Sequence, residues 1–141
     1  MNSEIIHAQN LDLLRPDHRA IVAQASHADA TLDPDLFVSL FTEDATFQLG
    51  GRPEIHGRAA LLPFMRTWFS SGLFTSVRHN VQEVFDFADE VVYCAIVTYT
   101  RPDGSTLQTP YVNVLRFRDG KFSDYRIFID LSIFAPPAAA Q

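Results

Sequence analysis

The segment TSVRHNVQEV, residues 75–84, sets Val77, His79 and Val81 on one side of an extended chain and Arg78, Asn80 and Gln82 on the other. That is the period-two pattern of a strand with one dry and one wet face. His79 therefore shares its face with valines, where an ionisable ring has two uses. It is either a core histidine satisfied by a backbone carbonyl or a tyrosine hydroxyl, or an acid–base group at the floor of a cavity, since imidazole ordinarily titrates near neutrality. Tyr99 and Asn113 are mid-strand and inward by the same alternation. They are core polar groups bonded to each other or to water, or donors that orient a ligand carbonyl or hydroxyl. Tyr111 and Tyr125 are weaker versions of Tyr99. In DYRIFID, residues 124–130, Tyr125, Ile127 and Ile129 form the apolar face, so Asp130 points outward and is expected to pair with a basic surface group.

Most catalytic signatures are absent. LGGRPEIHG lacks the glycine spacing of a dinucleotide loop, and there is no G-x-S-x-G, H-E-x-x-H or Walker sequence. The five histidines show no paired ligand spacing and Cys94 is the only cysteine, so neither a metal nor another cofactor is expected.

The elements that must position these residues follow from punctuation and periodicity. Pro16 suits the first turn of a helix whose face carries Ile21, Val22 and Ala25. Asp33 and Pro34 read as N-cap and N1 of a second helix, with Leu36, Phe37, Leu40 and Phe41 at helical spacing. EDATFQLGG reads as a short strand ending at Gly50-Gly51. HGRAALLPFMRTWF reads as a third helix with Leu61, Phe64, Met65 and Trp68 on one side and Pro63 in its first turn or kinking it. Strands follow, broken at RPDGS and at RDGK, an Asp-Gly hairpin. Helices first and an antiparallel meander after predict an α+β fold with helices on one sheet face.

Composition bounds the partners. A chain of 141 residues with 47% hydrophobic and 20% charged residues reads as one globular domain. A formal charge of −6, without a basic run, argues against nucleic acid and anionic membrane. No apolar stretch is long enough for a membrane span, the N-terminus does not read as a signal peptide, and the single cysteine fits a reducing cytoplasm. Twelve phenylalanines, four tyrosines and Trp68 serve a core first and a cavity lining second. Val92, Cys94 and Ile96 are apolar on one face of their strand, and Tyr93, Ala95 and Val97 on the other. A sheet apolar on both faces and covered by helices on one predicts a homodimer through the outer face.

LFVSLFTEDATFQLGGRPEIHGRAAL, followed by TYTRPDGSTLQTPYVNVLRFRDGKFSDYRIFID, resembles SnoaL-like proteins of the nuclear transport factor 2 superfamily, over about residues 16–134 of a single domain spanning 1–141. The LFTEDATF, GRAAL and RDGKFSDYR elements carry the resemblance. It implies an NTF2-like cone, with N-terminal helices packed on a curved, mainly antiparallel sheet and a pocket at the open end. Ketosteroid isomerases of this superfamily place their base where Leu49 stands here, their oxyanion-hole aspartate at Asn113 and their tyrosine near Ala25. The Arg-x-Asp pair of limonene epoxide hydrolases falls on Val97 and Tyr99, or on Tyr99 and Arg101. Their other aspartate, like the acid of polyketide cyclases, falls on Ile127, and their water-holding tyrosine and asparagine fall on Phe47 and Leu49. Neither activity is expected where those carboxylates are apolar. Scytalone dehydratase carries a histidine that matches His79, with its aspartate near Asp29 or Ala30.

The expected function is that of a cofactor-independent acid–base enzyme, an isomerase, cyclase or dehydratase acting on a small apolar oxygenated molecule. His79 is the expected acid–base, Asp29 its orienting partner, and Tyr99 and Asn113 the donors. Phe47, Leu49, Tyr111, Ile127 and Trp68 complete the expected ligand site. The alternative is a non-catalytic small-molecule-binding or accessory protein of the same fold.

Overall fold

Proline and aspartate start the helices where the sequence places them. In the computed structural model, which describes residues 5–7 and 14–135, Pro16 opens helix α1 (Pro16–Thr31) and Pro34 opens α2 (Pro34–Ser39). The Asp33 carboxylate accepts the Leu36 amide at 3.0 Å, which satisfies one of the helix's orphan donors. Helix α3 (Arg58–Phe69) carries Pro63 in its second turn instead of its first. One bond to the Ala59 carbonyl is forgone there, and the helix continues.

Seven strands make one curved, open sheet: β1 (Ile5–His7), β2 (Phe41–Leu49), β3 (Ile55–His56), β4 (Ser76–Asp86), β5 (Glu90–Thr100), β6 (Thr106–Arg118) and β7 (Lys121–Ile129). Their order is β1-β4-β5-β6-β7-β2-β3, and every pairing is antiparallel except β2 beside β7. The meander β4–β7 turns where the sequence predicts. Asp119 and Gly120 at the tip of β6–β7 have φ of 54° and 74°, the pair of positive angles a two-residue hairpin of the right twist requires. A 3-10 turn, Leu131–Phe134, follows β7. Asp130 caps it by accepting the Ser132 amide at 2.9 Å, so its partner is a backbone N–H and not the basic side chain expected from the sequence.

Packing overrides local pattern at two places. Helical spacing predicts α2 through Phe41, yet the helix stops at Ser39 and Phe41 begins β2. Phe41 is fully buried, its ring 5.1 Å from Phe37 and 5.2 Å from Phe122, and the Phe122 amide donates to the Leu40 carbonyl at 2.9 Å. Pairing with β7 thus takes the residue from the helix. In β4 the register slips between Val81 and Glu83, leaving Gln82 as a bulge. The predicted alternation shifts by one there, so Val84 and Asp86 are the next inward residues. Gly50, at φ +57°, ends β2 as predicted; a Cβ there would stand 3.0 Å from the Ile129 carbonyl oxygen, so only glycine fits.

The bulge has a use. Asp86, turned inward, binds His18 of α1 with Oδ1 2.7 Å from Nδ1, and accepts the Arg15 amide at 2.7 Å. The His18 ring stacks on Phe117 at 4.3 Å. This pins the start of α1 to the end of β4. The outer face of the sheet stays bare: Cys94, Val112 and Phe128 stand in register across β5, β6 and β7, and Phe128 is 58% exposed. Among the described residues no helix is long and apolar enough to cross a membrane.

Phe41→Ala is expected to cost about 3–5 kcal/mol, the usual loss for a fully buried aromatic ring. A solvent-facing residue at the end of a helix would lose far less, so the urea unfolding midpoint distinguishes the two placements.

Candidate functional site

The inner face of the sheet and the three helices enclose a cavity of about 490 Å³ of free space, counting its open mouth. Only a small part of it is wide enough for a water-sized sphere, so it is a slot and not a chamber. Phe37 of α2, Met65 and Trp68 of α3, and Phe47 of β2 form its helix-side and edge walls. Leu49 and Ile127 both line it, and neither brings a carboxylate to the wall.

The charged group on the wall is Asp29. It sits in the last turn of α1, three residues before the αL cap formed by Leu32. A carboxylate is unfavourable there, because the C-terminal end of a helix already carries partial negative charge. His79 offsets that cost: its Nε2 lies 2.9 Å from Asp29 Oδ2, with each side chain 18% exposed. The ring is held at its other nitrogen too, since Nδ1 lies 2.6 Å from the Tyr111 hydroxyl. Both nitrogens are thus engaged by protein, and of the bonded pair Asp29 lines the cavity. The sequence pairs this histidine with an aspartate, and the structure brings the two together with the carboxylate on the cavity wall. The carboxylate faces the cavity, and the histidine holds it. Of the two residues the resemblance left open, Asp29 and not Ala30 makes the contact.

Beyond His79 the polar groups continue as a buried cluster. The Tyr111 ring meets the Tyr93 ring edge-on at 6.1 Å, Asn113 Nδ2 donates to the Tyr93 hydroxyl at 2.7 Å, and the Tyr125 hydroxyl lies 3.4 Å from the same amide nitrogen. Tyr111, Tyr125 and Asn113 line the cavity. Tyr99 lines it as well, and its hydroxyl has no hydrogen-bond partner among the described residues. Tyr93 is the hub that sequence analysis missed, read there only as an apolar position. The signal was available: Tyr93 and Asn113 lie the same number of residues from the RPDGS turn and so face each other across β5 and β6.

All four tyrosines of the chain are held protonated well past the ordinary phenol range. Burial raises Tyr93 from 10.0 to about 12, and burial also raises Tyr99, Tyr111 and Tyr125, with the negative charge of Asp29 adding to each. The folded chain therefore keeps protons that the unfolded chain releases near pH 10. Their contribution to stability is complete below that pH and is lost as pH rises through 10 to 12 and beyond, by about 1.4 kcal/mol per pH unit per proton. Absorbance at 295 nm is expected to show no phenolate at pH 10.5 while the fold persists, then all four together on alkaline unfolding. A single tyrosine titrating near pH 10 in the folded protein would contradict this arrangement.

Comparison with known proteins agrees with this architecture. No curated protein matches the sequence at a significant level. A putative SnoaL-like polyketide cyclase from Jannaschia sp. CCS1 superposes with a TM-score of 0.68 at 21% identity, over 86% of this chain and 94% of that one. An epoxide hydrolase of the limonene epoxide hydrolase-like kind from M. tuberculosis gives 0.66 at 14% identity, over 82% and 84%. A Catenulispora acidiphila protein with a ketosteroid isomerase-like fold, crystallised with trimethylamine, gives 0.67 at 19%, over 81% and 88%. At these identities the likeness is one of fold. The sequence itself matches the SnoaL-like domain model over residues 22–125, and with helices on a curved, mostly antiparallel sheet around an inner cavity, the chain belongs to the SnoaL-like domain family.

Proposed function

We propose that this protein is a cofactor-independent acid–base enzyme of the isomerase, cyclase or dehydratase type, acting on a small apolar oxygenated molecule in the cavity. One observation carries the reading: a carboxylate, Asp29, lines an aromatic cavity with one oxygen held by His79 and the other without a partner among the described residues. A carboxylate oxygen that faces apolar walls can take a proton from a bound molecule with little water to compete for it. Asp29 takes a proton from carbon beside a carbonyl, and the electron pair moves to the carbonyl oxygen, where the free Tyr99 hydroxyl donates a hydrogen bond. Return of the proton to a different carbon completes an isomerisation. Departure of a neighbouring hydroxyl, carrying that proton away as water, completes a dehydration. His79 keeps the carboxylate oriented throughout and is a positioning residue. The relatives' activities, cyclisation and epoxide opening among them, fit a cavity of this kind.

The test is a planar probe whose C–H proton a carboxylate removes in one step, 5-nitrobenzisoxazole. The protein is expected to open it with saturation kinetics, and Asp29→Asn to lower kcat/KM by about 10²–10⁴-fold, the usual worth of a positioned base. The same variant is expected to keep its thermal stability, because it removes a charge from the wrong end of a helix. Equal rates for the wild type and for Asp29→Asn, with the probe still bound, would make the protein a small-molecule-binding module.

The bare outer face is the surface through which we expect two copies to meet. Its Cys94–Val112–Phe128 row is apolar, and a second identical row related by a two-fold axis is complementary to it. In the reducing cytoplasm, where this reading places the protein, Cys94 stays a thiol at that interface. Sedimentation equilibrium at micromolar concentration is expected to show a dimer, and Phe128→Arg a species of 15.9 kDa. A wild-type monomer under those conditions removes the outer face as a dimer interface.

A further inference from the structure

A groove runs along the outer side of α3, apart from the inner cavity and opposite to it in charge. It holds about 850 Å³ of free space, counting its open side, and Arg52, Phe64, Thr67, Trp68, Ser71 and Leu73 line it. Helical periodicity lets one helix serve both spaces. Pro63, Phe64 and Thr67 face the groove, Leu61, Met65 and Phe69 are buried, and Trp68 stands between the two stripes and lines both spaces. The Phe64 ring backs on Phe47 of the inner cavity, with centroids 5.9 Å apart. Where the inner cavity has the Asp29 carboxylate, the groove has the Arg52 guanidinium. Arg15, Arg66, Arg116, Arg118 and Arg126 each pair with a carboxylate. The Arg52 side chain has no hydrogen-bond or carboxylate partner among the described residues, and its guanidinium lies over the Phe64 ring, 5.6 Å from the centroid. Glu54, two residues on, is held by Arg126. A guanidinium stacked in this way is oriented by the ring and keeps its N–H edge for an acceptor. Ser71 adds a donor, because its Oγ accepts the Leu73 amide at 3.2 Å and its own proton is left to give.

We propose that this groove is a second ligand site, for a small planar aromatic carboxylate whose ring lies against Phe64, Trp68 and Leu73 and whose carboxylate meets Arg52. The planar fork of a guanidinium matches a carboxylate with two parallel N–H···O bonds. Positive charge and donors stand here beside flat apolar surface, and among the described residues no carboxylate lines the groove to compete for Arg52. Leu73, 40% exposed, is the apolar rim. The formal charge of −6 repels anions at large, so an anion that binds here is held by the local site and not by the general field of the protein. The groove site does not depend on the reading of the inner cavity. Through Trp68, however, its occupant meets a ring that also bounds that cavity.

Two probes of the same shape and nearly equal size separate charge recognition from apolar fit: 2-naphthoate, which is an anion, and 2-naphthamide, which is neutral. In ¹⁵N–¹H correlation spectra at low ionic strength, the backbone amides of Thr67, Ser71 and Leu73 report the groove, and those of Val97 and Ile127 report the inner cavity. In the wild type 2-naphthoate is expected to move the groove signals and to bind about fivefold more tightly than 2-naphthamide, the upper worth of an exposed ion pair. Added salt is expected to shrink that ratio. Arg52→Gln is expected to bring it to about one with the melting temperature unchanged, since the side chain is exposed and bonds to no described residue. Arg52→Lys, which keeps the charge and loses the fork, is expected to fall between the two. Equal affinities in the wild type, or a preference that survives in Arg52→Gln, would overturn the site. So would shifts confined to Val97 and Ile127, or no shift at millimolar probe. Should Arg52→Gln fail to fold, the wild-type ratio and its salt dependence decide.

Discussion

The bond between Asp29 and His79 joins residues fifty positions apart, on the last turn of a helix and the middle of a strand, and the working part of the molecule depends on it. A carboxylate at a helix C-terminus, largely out of water, is a group that folding disfavours. With Nε2 at 2.9 Å it is kept on the wall of a largely aromatic cavity. The same ring passes its second nitrogen to Tyr111 and so ties the carboxylate to a cluster of phenols that reaches Asn113 and Tyr125.

A second histidine–aspartate pair holds the other end of the same helix. His18 of α1 meets Asp86 of β4, while Asp29 of α1 meets His79 of β4, so the helix contributes the base at one end and the acid at the other. The two attachments stand about three turns of helix apart, roughly 16 Å at the usual rise. Both pairs fix how α1 lies on β4, and their surroundings set them apart. His18 and Asp86 are sealed, with the imidazole stacked on Phe117, whereas Asp29 and His79 are each part-exposed beside the slot. The bulge at Gln82 is what allows both Asp86 and His79 to face inward from one strand, since an unbroken alternation would put them on opposite faces.

The aromatic core explains why the cavity is narrow. Phe37, Phe41, Phe47 and Tyr125 pack with ring centroids about 5–6 Å apart, at the edge of the cavity. Rings tilted at 31° to 88° to one another interlock and leave little free space between them. Leu49 and Ile127 add two more apolar side chains to that wall, and Asp29 is its charged group.

By itself the sequence determined the class of fold, the hairpin positions and the face on which most strand residues lie, because period-two alternation, Asp-Gly turns and proline starts are local properties of the chain. On that basis Tyr99, Asn113, Tyr111 and Ile127 were legible as inward residues, and all four line the cavity. The family resemblance added Phe47 and Leu49 and narrowed the aspartate to two neighbouring positions. What alternation cannot say is which of two bonded residues stands in front, since both His79 and Asp29 point inward. Only the packing of α1 against β4 decided that the carboxylate meets the cavity and the imidazole supports it. The end of α2 and the phase of β4 after Gln82 were likewise tertiary decisions. In one case burial of Phe41 against Phe122 outweighed helical spacing, and in the other a single unpaired residue changed the register.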